Sequence, residues 1–300
     1  MSTVLEALSC GLAHQQAGRL PEAEAVYRQV LTREPGNPDA LHLLGMTCHQ
    51  LGQHAAALEL IERAIRQAPG VAAFHNNLGT VLQAQLRHSE ALACFERALR
   101  LEPDYAEAHI NLGNALQALQ RHDEAVERYR RALRLKPHFA EAHNNLGNAL
   151  AALGRLEAAS AAFREALRLR PDYVEALVNL SSVLKEANQL EEAAACCCRA
   201  LQWQPALAEA HSNLAGILAA QEKYDEAEAH CQRALELKPS LAEAHANLSL
   251  IRLDQKRPEE ALEPARHALE LKPDLVEALA NLGDAHAKLG RPEEALPLYQ

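Results

Sequence analysis

Ala142, Leu146, Ala149, Leu150 and Leu153 fall at the spacing of one face of an α-helix, and Gly154 then breaks the run. A second run, Ala158, Ala159, Ala162, Phe163, Ala166, Leu167 and Leu169, keeps the same rhythm and stops before Pro171. Proline has no N–H and pushes its predecessor out of the helical region, so the pattern predicts a helix end there. The 34 residues from Ala140 to Tyr173 therefore read as two amphipathic helices. Gly147, Ala159 and Ala166 are small where backbones must approach closely, while Leu146, Leu150 and Phe163 fill the space between helices.

The same pattern returns along the whole chain. Proline recurs without a slip at Pro35, Pro69, Pro103, Pro137, Pro171, Pro205, Pro239 and Pro273. Alanine keeps the beat at Ala23, Ala57, Ala91, Ala125, Ala159, Ala193, Ala227, Ala261 and Ala295. A strict period of this length predicts a stacked array, because one helix pair cannot bury its apolar face alone. The expected organisation is a single array over 1–300. Its complete repeats are 4–37, 38–71, 72–105, 106–139, 140–173, 174–207, 208–241 and 242–275, and 276–300 begins a ninth.

Leu146-Gly147, Ala159, Phe163, Ala166 and Pro171 resemble the signature of the tetratricopeptide repeat. The resemblance covers essentially the whole chain. It implies an all-α fold, a right-handed superhelical solenoid of antiparallel helix pairs, with the first helix of each repeat lining the concave face.

Departures from the pattern carry their own expectations. The first repeat is degenerate, with Cys10 for the usual leucine and His14 at a core-facing position, as suits a terminal repeat. The turn between helices holds Gly18, Gly52, Gly154, Gly290 or Asn188, yet Leu86, Gln120, Glu222 and Lys256 take the same place, so glycine is not strictly demanded. Pro258 and Pro292 sit at helix starts, where proline is tolerated, but Pro264 and Pro297 fall inside second helices and predict a bent or weakened helix. At Gln300 the ninth repeat is incomplete, so the native chain is expected to continue. If it does not, the uncapped ninth repeat is a candidate self-association surface.

Composition narrows the function classes. A hydrophobic content of 48% with only 4% aromatic residues fits alanine- and leucine-rich helix packing. A formal charge of −10 argues against nucleic acid or an anionic membrane as partner, since those need a basic surface. No basic-then-apolar leader opens the sequence, and no apolar run approaches the ~20 residues of a membrane span. Seven cysteines, an odd number, suggest reduced thiols and a cytoplasmic location.

Counting Ala140 as position 1, the positions expected to face the groove are 2, 5, 6, 9, 12 and 13. Position 6 is asparagine in seven consecutive repeats: Asn77, Asn111, Asn145, Asn179, Asn213, Asn247 and Asn281. Position 2 is glutamate in six: Glu107, Glu141, Glu175, Glu209, Glu243 and Glu277. Each glutamate lies one turn before its asparagine on the same helix face. An asparagine amide offers a donor and an acceptor, so a ladder of them could hold an extended peptide backbone whatever its sequence. Each rung is worth only about 0.5–1.5 kcal/mol net, so the number of rungs matters. The glutamates would bias the groove toward Lys, Arg, Ser or Thr. The competing reading is a solvated polar face that needs no ligand.

This unbroken column, in units of the type AEAHNNLGNAL, resembles the tetratricopeptide arm of protein O-GlcNAc transferases. The resemblance implies that groove asparagines hold an acceptor peptide, with an acidic residue one turn earlier. The departures are glutamate where that family often has aspartate, and a glycosyltransferase region that would lie past Gln300. A free-standing assembly scaffold with no associated enzyme is the alternative. The co-chaperone type of repeat, which clamps acidic peptide C-termini with cations, fits poorly, because Lys185 and Lys288 are the only cations near the groove.

Other candidate chemistry reads as structure. Position 4 carries His75, His109, His143, His211 and His245, one per repeat, which cannot converge on a single metal ion. Cys196, Cys197 and Cys198 are consecutive and point about 100° apart, and Cys197 and Cys231 occupy the position that holds Tyr129 and Phe163 elsewhere. Ser182 and Lys185 have a serine–lysine spacing but no oxyanion loop. No phosphate-binding loop or His-Glu-x-x-His appears. The sequence thus predicts no catalytic residue, metal site or cofactor within these residues. It predicts a protein or extended peptide in the groove as partner.

Overall fold

The computed structural model describes residues 3–299; Met1, Ser2 and Gln300, the ends of the expected array, lie outside the described residues. Among the described residues there are eighteen α-helices, one 3-10 helix and no strand. The first helices of successive repeats are α1 (Val4–Gln16), α3 (Pro38–Gln50), α5 (Ala72–Ala84), α7 (Ala106–Ala118), α9 (Ala140–Ala152), α11 (Val174–Glu186), α13 (Ala208–Ala220), α15 (Ala242–Asp254) and α17 (Val276–Lys288). Their partners are α2 (Leu20–Arg33), α4 (His54–Gln67), α6 (His88–Leu101), α8 (His122–Leu135), α10 (Leu156–Leu169), α12 (Leu190–Trp203), α14 (Tyr224–Leu237), α16 (Pro258–Leu271) and the short α18 (Pro292–Ala295), which passes into the 3-10 turn Leu296–Leu298.

The chain forms two compact units, Met1–Leu153 with α1–α9 and Gly154–Gln300 with α10–α18. Within each unit every helix packs on the next in sequence. First helices also touch the next first helix: α1 with α3, α3 with α5, α5 with α7 and α7 with α9 in one unit, and α11 with α13, α13 with α15 and α15 with α17 in the other. Among the described residues no two second helices of a unit make such contact. The first helices are therefore the inner layer of each unit.

Alanine explains the close approach. Ala23, Ala57, Ala91 and Ala125 in the first unit, and Ala159, Ala193, Ala227 and Ala261 in the second, have no exposed surface at all. A second pairing sets the distance between the two helices of a repeat. A Cβ placed on Gly11, Gly45, Gly79 or Gly113 would come within 2.4, 2.7, 2.6 and 2.6 Å of Tyr27, Ile61, Phe95 and Tyr129 respectively. At Gly283 the corresponding side chain is Tyr299, again at 2.6 Å. Where the first-helix residue is larger, at Ser181, Ala215 and Ser249, the second-helix residue shrinks to Cys197, Cys231 and Ala265. Volume is conserved across the pair.

Glycine is not demanded at the turn, yet the left-handed conformation is: Leu86, Gln120, Glu222 and Lys256 adopt φ of 61, 60, 61 and 62°, alongside Asn188 and the four glycines. The reason lies in the hydrogen bonds that end the first helix, such as Arg87 N to Leu82 O at 3.0 Å and Lys223 N to Leu218 O at 2.9 Å, which form only when the chain reverses through that conformation. Pro264, expected to bend or weaken its helix, does not interrupt it. Helix α16 runs the same fourteen residues as its counterparts, with Pro264 buried. The carbonyl that its missing N–H leaves without a partner is that of Glu260, and Arg252 Nη1 on α15 donates to it at 3.0 Å.

Candidate functional site

The position-6 asparagines lie on the first helices, and their amide N–H groups reach the preceding first helix. Asn77 Nδ2 donates to His42 Nε2 at 2.7 Å, Asn111 Nδ2 to Asn76 Oδ1 at 3.0 Å, and Asn145 Nδ2 to Asn114 Oδ1 at 3.0 Å. In the second unit Asn213 Nδ2 donates to Ser182 Oγ at 3.1 Å, Asn247 Nδ2 to Ser212 O at 3.0 Å and Asn281 Nδ2 to Ala246 O at 2.9 Å. Asn179 holds the same register on α11 and is half-buried. Asn77, Asn111, Asn145, Asn213, Asn247 and Asn281 thus tie one repeat to the one before it.

Three of the six glutamates meet a lysine. Glu107 pairs with Lys136, Glu209 Oε1 with Lys238 Nζ at 2.7 Å, and Glu243 Oε1 with Lys272 Nζ at 3.6 Å. Each lysine follows the last residue of the second helix in the same repeat, so these three carboxylates close the helix pair at its open end. The hydrogen bond from lysine holds the Glu107 and Glu209 carboxyls below their ordinary range. Glu141, Glu175 and Glu277 are exposed.

Of the surface depressions in the first unit, two are lined mainly by polar and charged side chains. The larger, about 600 Å³, runs along α8 past Pro103 and His109 and is lined by Asp123, Glu124, Glu127, Arg128, Arg131 and Arg134. Three of its charged side chains pair with residues outside the lining: Glu124 with Arg121, Glu127 with Arg130 and Arg131 with Asp104. The other, about 510 Å³, is open and lies along the first helices α5, α7 and α9 and the turn after α7, between Gln83, Asn114, Gln117, Gln120, Asn145 and Asn148, with Ala118 and His122 also lining it. Six side-chain amides line it, and Asn145 of the column is among them. Gln83, Asn114, Gln117 and Asn148 stand at positions 9 and 12 of their repeats, the groove-facing register, but no single repeated residue type marks them in the sequence.

The histidine column has a structural purpose. Nε2 of His75, His109, His143, His211 and His245 lies 3.0, 3.0, 3.0, 3.1 and 2.9 Å from the carbonyl of Pro69, Pro103, Pro137, Pro205 and Pro239. A carbonyl only accepts, so the ring proton sits on Nε2. In two repeats where position 4 is leucine, Leu41 and Leu177, arginine is the donor instead: Arg63 Nη2 reaches Pro35 O at 3.5 Å and Arg199 Nη2 reaches Pro171 O at 3.4 Å. These bonds satisfy loop carbonyls that follow the second helix.

The buried thiols belong to the core. Burial raises the Cys197 thiol to about 11 and the Cys231 thiol to about 12, which keeps both protonated and unreactive. Among the described residues no group of three or more histidine, cysteine, aspartate or glutamate side chains is placed to hold a metal ion. No helix among them is long and apolar enough to cross a membrane.

Stacked helix pairs with an inner layer of first helices, and a polar groove on that layer, define a helical-repeat scaffold. Tetratricopeptide-repeat sequence profiles match residues 11–72, 110–174 and 145–205, residues 70–138 and 206–274, and residues 276–300. The chain belongs to the tetratricopeptide repeat family. No curated protein matches it. Among solved structures it is similar to a chain of the APC/C hetero-tetramer Cut9–Hcn1, with a TM-score of 0.68 and 21% identity over 89% of this chain and 52% of that one. It therefore spans about half the length of that relative. It is also similar to Pseudomonas aeruginosa pilF, with a TM-score of 0.59 and 20% identity over 69% of this chain and 95% of that one. Likeness at these identities shows the fold. YrrB, a TPR protein with an unusual peptide-binding site, aligns with a TM-score of 0.50 and 27% identity over 65% of this chain and 97% of YrrB.

Proposed function

We propose that this chain is a protein- or peptide-binding scaffold that holds an extended segment of its partner against the first helices. The observation that carries the reading is the groove of about 510 Å³ lined by Gln83, Asn114, Gln117, Gln120, Asn145 and Asn148. Side-chain amides present both donors and acceptors, the complement of a peptide backbone. The inter-repeat ties use one of the two amide N–H groups of the six asparagines that make them, so a second N–H and the remaining Oδ1 lone pairs are left for a peptide, and positions 9 and 12 add further amides. With three glutamates already engaged by lysine, the reading rests on the amides. The resemblance to YrrB, described as a TPR protein with an unusual peptide-binding site, supports it.

The test is a peptide selected from a random library against the full chain. Replacing Gln83 and Asn148 together with alanine is expected to weaken it roughly tenfold with little change in helicity or melting, as two modest hydrogen bonds would. Affinity equal to wild type would place the ligand away from this groove.

The likeness of the asparagine column to O-GlcNAc transferase arms gives the proposal a sharper form: the groove would deliver acceptor segments to a glycosyltransferase region of a longer protein. The intact mass of the gene product from its own cells, followed by a sugar-transfer assay on it, decides this form. A product with no added mass and no transfer activity leaves the scaffold reading alone.

A further inference from the structure

The proline clasp does more to His211 than hold it. Its Nε2–H points to Pro205 O at 3.1 Å, so its Nδ1 carries a lone pair. That Nδ1 lies 2.9 Å from Nδ1 of His230 on α14, with the ring centroids 5.1 Å apart and the planes 30° from parallel. We propose that His211 and His230 form a site for a divalent transition-metal ion of the zinc and copper class, bridging the two helices of repeat 208–241.

Three observations support the site. Two imidazole nitrogens on a tetrahedral ion, each about 2.0–2.1 Å from it, stand about 3.3 Å apart, so the present pair needs to open by only a few tenths of an ångström. A ligand histidine almost always donates its other ring N–H to a carbonyl or carboxylate, which fixes the tautomer and the ring plane, and Pro205 already does this for His211. Both rings are partly exposed, so an ion can enter from solvent. Because His211 Nδ1 carries a lone pair, the proton that bridges the pair sits on His230 Nδ1, and metal binding moves it to Nε2 of the same ring; Glu226, one turn earlier on α14, adds negative charge beside it.

Imidazole nitrogen suits zinc, copper and nickel and is a poor ligand for magnesium or calcium. With two protein ligands, water completes the coordination. The consequence is a reversible staple between α13 and α14, which stabilises the folded state in proportion to metal concentration. The other pair of this kind, His49 and His54 at 3.1 Å, joins the end of α3 to the start of α4. The remaining position-4 histidines keep the clasp, but among the described residues no second imidazole nitrogen stands within hydrogen-bond distance of theirs.

The experiment is a zinc chloride titration of the full chain, followed by proton–nitrogen correlation spectra of the imidazoles and by thermal unfolding, with magnesium chloride as control. The expected result is that Nδ1 of His211 and of His230 shift together while His211 Nε2 keeps its proton. Zinc should raise the melting temperature and magnesium should not. In His230→Gln the zinc dissociation constant should rise by no less than the about tenfold that losing even an outer partner of a ligand costs. Unmoved Nδ1 signals in excess zinc, the same response to magnesium, or an undiminished zinc response in the variant would each overturn the proposal. Should His230→Gln fail to fold, His211→Leu serves, since Leu41 and Leu177 fill that position in other repeats, and the wild-type spectra decide independently.

Discussion

Gly113 and Tyr129 show how little freedom a single residue has in this array. The ring of Tyr129 has no exposed surface and lies where a Cβ on Gly113 would be, 2.6 Å away. Its hydroxyl donates to Asn114 Oδ1 at 2.7 Å, and Asn114 in turn receives the tie from Asn145. One tyrosine therefore fixes both the helix spacing and one rung of the inter-repeat clasp. Gly113→Ala is expected to destabilise by about 1–3 kcal/mol through overpacking. Combined with Tyr129→Cys, the pairing seen at Ala215 and Cys231, it should cost less than the sum of the single changes. A denaturant double-mutant cycle with no coupling would show that the two positions are packed independently.

At the scale of the element, the turn between first and second helices stores strain that other features of the fold tolerate. Leu86 sits at φ 61° with 78% of its surface exposed, so its side chain contributes little packing against the cost of its backbone conformation. A left-handed non-glycine residue costs about 1–2 kcal/mol, part of which glycine recovers after its larger unfolded-state entropy is counted. Leu86→Gly is therefore expected to stabilise by about 0.5–1 kcal/mol, read as a higher urea midpoint at unchanged slope. A lower midpoint would mean that the leucine side chain packs usefully in solution. Helix α16 illustrates the opposite arrangement, in which a helix breaker is accommodated because Arg252 on the neighbouring helix takes the Glu260 carbonyl. No periodicity within α16 could reveal that.

At the scale of the whole molecule, the histidines give stability a pH dependence. Burial lowers His42 from 6.5 to about 4, against a smaller opposing effect of Asp39. Its Nε2 must stay unprotonated to accept from Asn77. Burial also lowers His49, His109, His230 and His245. Below their ordinary pKa the unfolded chain binds protons that the folded chain does not. The stabilisation is therefore complete above about pH 6.5 and declines as pH falls toward about 4. Urea midpoints should drop between about pH 7.5 and about pH 5, and less steeply in His42→Gln, which keeps an acceptor for Asn77 without the titration. An equal drop in wild type and variant would assign the effect to other groups.

The sequence by itself determined the all-α class, the helix pairs and their period, because a 34-residue beat of proline, alanine and leucine is a local signal that no alternative packing satisfies. It also contained the exchange of glycine and tyrosine for alanine and cysteine, legible once the columns are compared. Only the tertiary structure decided what the polar columns do. Asn111 and Asn76 are 35 residues apart, and Lys238 and Glu209 are 29 apart. Whether an amide faces a ligand or a neighbouring helix depends on how one repeat is rotated against the next, and side-chain spacing within a helix does not carry that angle. The histidines are the clearest case: their column was visible, but their partner is a proline carbonyl, and every residue has a carbonyl.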